Sequence, residues 1–129
     1  MSEPSLRTPL ARVTGLGSAK DGTGHWWLQR LTAVALVPLA VWFVASIVSL
    51  TGAGQGEIKA WLSNPLAALL MVLFLATGFF HLKLGLQVVI EDYVHGHGLK
   101  VALLIANVFA CVLLGGGSIL AVLKLTLGA

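Results

Sequence analysis

His81 stands inside an apolar stretch that runs from Pro65 to Ile90. An ionisable side chain is costly in hydrocarbon and usually faces the interior of a helix bundle, where it serves a ligand, an ion or a proton path. Eleven positions later comes Asp92-Tyr93-Val94-His95-Gly96, a polar cluster where the apolar run ends. A phenol can donate a hydrogen bond to a carbonyl, and a neighbouring carboxylate can help deliver protons. At 100° per residue, Thr77, Gly78, His81, Leu84, Gly85 and Asp92 share one helix face. Glycines at i−3 and i+4 give His81 clearance for a flat macrocycle whose iron takes an axial imidazole. They serve close helix–helix packing equally well. On residue types alone, His81 is either a haem ligand or a hydrogen-bonded structural histidine.

The other polar groups bear on the same choice. His25, His95 and His97 all lie at the edges of the apolar runs. A haem held by two histidines would therefore draw its second ligand from another subunit. Arg30 opens the first apolar run; its guanidinium can pair with haem propionates or simply snorkel to the interface. Asp92 and Tyr93 lie about 16–18 Å from His81 along a helix axis. Tyrosine is also a common interfacial residue. Lys83 is two residues from His81 but 200° around the helix, and it receives no role.

Three apolar runs must position these groups: Leu31 to Leu50, Pro65 to Ile90 and Val101 to Leu123. Each is long enough for the ~20 residues that cross ~30 Å of hydrocarbon. Of the 129 residues 57 % are hydrophobic and 10 % charged, against about a quarter charged in soluble domains. The runs lack the polar outer faces of a soluble three-helix core. The expected fold is an all-α membrane protein with three transmembrane helices, part of a heteromeric bundle. Residues 1–24 are expected to form an irregular cytoplasmic tail, and 25–129 the three-helix anchor domain.

Local signals refine this plan. Asn64-Pro65 suits the cap and first turn of the second helix. Pro38 is expected to bend the first. Trp26 and Trp27 suit an interfacial aromatic belt. Gly115-Gly116-Gly117-Ser118 offers close approach to another backbone. Cys111 is the one cysteine, so it makes no internal disulfide and no cysteine-rich metal site; it reads as a small apolar packing residue. No internal repeat is present. Nothing points to a nucleic-acid partner, and the net charge of +3 is informative mainly through its placement.

Arg7, Arg12, Lys20 and Arg30 precede the first run, whereas the stretch from Thr51 to Asn64 has only Lys59, offset by Glu57. The positive-inside rule places the N-terminus and the Glu91–Lys100 loop in the cytoplasm. No cleavage site follows the first run, which is expected to remain as an uncleaved anchor.

The segment from His81 through Gly85, Gln87, Asp92 and Tyr93 to Gly96 resembles the signature of the hydrophobic membrane-anchor (D) subunit of succinate dehydrogenase, bacterial and mitochondrial Complex II. His25-Trp26-Trp27-Leu28-Gln29-Arg30-Leu31-Thr32-Ala33 resembles the start of that family's first helix. The resemblance spans about residues 24 to 125. It implies that His81 is an axial ligand of haem b, shared with a companion cytochrome b anchor subunit. It implies that Tyr93 hydrogen-bonds ubiquinone, with Asp92 beside it in the quinone site. Arg30, and less directly His25, correspond to groups near the haem propionates. The implied function is anchoring of a flavoprotein and an iron–sulfur subunit, with electrons passing from succinate to ubiquinone in the tricarboxylic acid cycle. The expected location is a bacterial inner membrane, or the mitochondrial inner membrane in a eukaryote. This chain has no flavin- or cluster-binding segment and would not oxidise succinate alone.

Three rivals share the hydrophobicity. A quinol:fumarate reductase anchor has the same architecture and runs the opposite net reaction. A haem-less structural subunit leaves the spacing from His81 to Tyr93 unexplained. A transporter fragment would need more polar lining at mid-membrane than His81 and Lys83 supply.

Overall fold

A chain in lipid must satisfy its backbone hydrogen bonds within each spanning segment, so long apolar runs become helices. The computed structural model describes residues 8–10 and 18–128. It contains α1 (Ser18–Ser49), α2 (Gln55–Leu62), α3 (Pro65–Tyr93) and α4 (His97–Thr126). Among the described residues, three helices are long and apolar enough to cross a membrane: Gly22–Ser49 within α1, α3 and α4.

The helices extend beyond the apolar runs that announce them. The first begins at Ser18, inside the stretch expected to be irregular; the rest of that expected tail, apart from 8–10, lies outside the described residues. Polar residues at an interface can continue a helix because water and headgroups accept the side chains while the backbone ladder runs on. The same extension shrinks the connection between α3 and α4 to Val94, His95 and Gly96. Asn64 caps α3 as expected: its side-chain oxygen accepts from the Leu66 N–H at 2.9 Å, with Pro65 in the first turn. The first helix runs unbroken through Pro38.

The short α2 was not legible as an apolar run. The Glu57 carboxylate accepts from the Gly54 N–H at 2.9 Å, closing its first turn. Trp61 on α2 stacks on Trp42 of α1 with ring centroids 5.8 Å apart. Gly52 turns the chain between α1 and α2 with φ +83°, a conformation that favours glycine.

The central helix is α3, which packs against both α1 and α4, while among the described residues α1 and α4 do not pack on each other. Phe43 and Phe74 stack at 4.7 Å between α1 and α3. On the other side, the buried Asn107 donates to the Lys83 carbonyl at 2.9 Å, and the Cys111 thiol lies 3.5 Å from the Asn107 side-chain oxygen. Polar contacts of this kind between membrane helices contribute about 0.6–2 kcal/mol.

Gly115 seats an aromatic ring. A Cβ there would lie 3.0 Å from Cγ of Phe79, and Gly115 is buried, whereas Gly116 and Gly117 face open space. Much apolar surface stays outside the packed interior. Val34, Val37, Val41 and Val44 of α1 and Phe109, Leu113 and Leu120 of α4 are all exposed.

Candidate functional site at the interface of α1 and α3

His81 lies on the face of α3 that meets α1. Its Nδ1 is 2.9 Å from Oγ1 of Thr32, a side chain 49 positions earlier in sequence. Thr32 is buried, as are the polar Ser46 and Asn107. Among the described residues, Nε2 of His81 makes no hydrogen bond. One ring nitrogen is thus held by the protein and the other is available.

The glycines flanking His81 take part in the packing of α1. A Cβ on Gly78 would meet Leu36 at 3.9 Å, and one on Gly85 would meet the Gln29 amide nitrogen at 3.7 Å. Of the two uses open to these glycines, the chain itself realises helix–helix packing.

One turn beyond His81, the same two helices separate around a cavity of about 470 Å³. Its walls include Gly22, His25, Trp26, Gln29, Arg30 and Gly85. Two buried polar atoms on those side chains, Nε2 of His25 and the Gln29 side-chain oxygen, lack a hydrogen-bond partner among the described residues. Leaving such atoms unpaired costs about 1–3 kcal/mol each. Arg30 stands with its guanidinium carbon 5.5 Å from the Trp26 ring centroid, a cation–π arrangement. An imidazole nitrogen without a hydrogen bond, one helical turn from a cavity lined by Arg30 and unpaired polar atoms, suits a flat group that is metal-bearing at its centre and acidic at its edge.

Asp92 and Tyr93 are not drawn into this cluster. They end α3, about 16–18 Å from His81 along the axis but only one turn beyond Val88, which also lines the cavity. Both are exposed, and Tyr93 retains 77 % of its surface. On α3 the cavity wall formed by Gly85 and Val88 lies between His81 and the exposed Asp92 and Tyr93. Lys83 turns away from His81, with its ammonium 5.7 Å from the Phe80 ring centroid.

Two residues of the His81 region were missed as contributors. Thr32 looked like part of an apolar run, and its signal was a lone hydroxyl early in the first span. Gln29 carried a similar signal, an amide one turn before Thr32. Neither signal names a partner until α1 and α3 are packed together.

Residues 4–115 match the family described as succinate dehydrogenase/fumarate reductase transmembrane subunit. The succinate dehydrogenase hydrophobic membrane anchor subunit of Paracoccus denitrificans is 32 % identical over 122 residues, covering 95 % of this chain and 94 % of that protein. The protein of the same name from Rickettsia bellii is 34 % identical over 101 residues, covering 78 % and 81 %. A succinate dehydrogenase membrane anchor subunit from Reclinomonas americana is 28 % identical over 85 residues, covering 64 % and 71 %. No solved structure matches this chain significantly. Three long apolar helices, and a match over most of the chain, lead to one assignment: the protein belongs to the succinate dehydrogenase/fumarate reductase transmembrane subunit family.

Proposed function

We propose that this chain is the membrane anchor of a succinate:ubiquinone oxidoreductase, providing one axial ligand of haem b and part of the ubiquinone site. The observation that carries this reading is the state of His81, a spanning-helix imidazole with Nδ1 engaged by Thr32 and Nε2 available. A bound haem b would supply a one-electron redox centre within the bilayer. His81 would ligate its iron. Arg30 would pair with its carboxylates, with His25 and Gln29 offering further polar contacts from the same cavity wall. The second iron ligand would come from a companion cytochrome b anchor, as the family resemblance implies; His95 and His97 lie at the turn between α3 and α4, and His25, two turns into α1, lines the cavity wall.

Tyr93 would donate its hydroxyl hydrogen to a ubiquinone carbonyl, and Asp92 would assist proton delivery. Their exposure at the end of α3 supports a pocket whose remaining walls come from partner subunits. In this reading an iron–sulfur subunit docks on that side and receives electrons from a flavoprotein subunit. The charge placement supports a cytoplasmic N-terminus in a bacterial inner membrane. Asp92 and Tyr93 then lie on the cytoplasmic side.

The whole complex tests this function. With this chain present, membranes should couple succinate oxidation both to a ubiquinone analogue and to a soluble dye. With the chain deleted, quinone reduction should vanish while the flavoprotein and iron–sulfur subunits keep dye reduction in the soluble fraction. Quinone reduction at the wild-type rate without this chain would contradict the proposal.

A further inference from the structure

Thr32 is 9 % exposed and packed against His81 between α1 and α3. Its Oγ1 makes three close contacts: 2.7 Å to the Leu28 carbonyl oxygen, 3.1 Å to the Gln29 carbonyl oxygen and 2.9 Å to Nδ1 of His81. A threonine hydroxyl has one proton to donate, and a carbonyl oxygen can only accept. The short contact to Leu28 therefore takes the hydroxyl proton. If that proton pointed at His81 instead, oxygen lone pairs would face each other at 2.7 Å. The bond between the helices must then run from the Nδ1–H of His81 to Oγ1 of Thr32.

That direction fixes the histidine. With the proton on Nδ1, a neutral imidazole carries its lone pair on Nε2, the form in which it binds a metal. Other hydroxyls also bond back into their own helices: Ser46 to Trp42, Ser118 to Leu114 and Thr126 to Val122. Among the described residues, only Thr32 also accepts from a side chain on another helix. The bond within α1 aims the oxygen, and the bond across to α3 uses it.

We infer that Thr32 is a positioning residue, holding His81 in the Nδ1–H tautomer with Nε2 presented for iron and making that nitrogen a stronger donor. This rests on the reading of His81 as a haem ligand. Outer hydrogen bonds of this kind orient a metal-binding imidazole and raise its basicity. A more basic ligand favours the oxidised iron, so the Thr32 hydroxyl holds the haem midpoint potential down.

The test uses the complete complex carrying Thr32→Val, Thr32→Ser or His81→Ala in this chain, with haem content and midpoint potential measured for each. Valine keeps the shape of threonine and lacks the acceptor; serine keeps the acceptor and lacks the methyl. The expected result is a higher midpoint potential and less retained haem in Thr32→Val, with Thr32→Ser at wild-type values. A role in packing alone predicts the reverse order, with valine close to wild type and serine perturbed, and that order would overturn the inference. Should Thr32→Val yield no assembled complex, Thr32→Ala carries the same comparison against serine. Unchanged potential and haem content in the hydroxyl-less variant, beside loss of the haem signal in His81→Ala, overturns the role of Thr32 and leaves the ligand reading intact. An unchanged haem signal in His81→Ala overturns both.

Discussion

An imidazole within a spanning helix must be compensated at both ring nitrogens or turned toward polar surroundings. In this chain Thr32 compensates one nitrogen of His81. Thus the choice between structural histidine and metal ligand becomes a question about one atom, Nε2. Tyr93 presents a different case, since 77 % of its surface is free and its hydroxyl lies at the end of α3. If that hydroxyl bonds a quinone carbonyl, Tyr93→Phe removes one neutral hydrogen bond of about 1 kcal/mol, a loss of roughly fivefold in quinone reduction. Dye reduction by the soluble subunits should be unchanged in the same preparation. Equal loss of both activities would mean that Tyr93 supports assembly and not quinone binding.

At the scale of the helices, α3 is held from two sides by different means. Aromatic stacking and the hydrogen bond from His81 to Thr32 join it to α1. The bond from Asn107 and the seat of Phe79 on Gly115 join it to α4. A Cβ at Gly115 would stand 3.0–3.3 Å from three atoms of Phe79, so the ring must shift to admit it. Overpacking of this order costs about 1–3 kcal/mol. Gly115→Val should lower the thermal stability of the assembled complex more than Gly117→Val, whose added side chain meets open space within this chain. Equal thermal shifts in the two variants would contradict the packing described for α3 and α4. The three spans were legible because hydrophobic length alone determines what can cross a bilayer. Their ends were not, because Ser18–Gly24, Glu91–Tyr93 and His97–Lys100 are too polar to register as apolar yet form helix. The short α2 escaped for a related reason: its order rests on the Glu57 contact and on Trp61 stacking against a tryptophan in another helix.

For the whole molecule, the arrangement with α3 in the middle leaves the outer faces of α1 and α4 to lipid or to neighbouring subunits. His81 and Tyr93 were legible as residues because a histidine at membrane depth and a phenol at its edge are chemically conspicuous. The contact of His81 with Thr32 was not, since it depends on the register between helices whose apolar patterns tolerate several. Orientation can be checked independently of chemistry. With the N-terminus in the cytoplasm, Ser63→Cys and Leu127→Cys should react with a membrane-impermeant maleimide in spheroplasts and be protected in inside-out vesicles. The reverse pattern would invert the proposed topology and move Tyr93 to the far side. The most direct test of the central claim is a reduced-minus-oxidised optical spectrum of the intact complex purified through this chain, with His81→Ala beside it. A b-type haem band in the wild type that is lost or displaced in the variant is the predicted result and places His81 on the iron. A band of the same position and intensity in both preparations would contradict it.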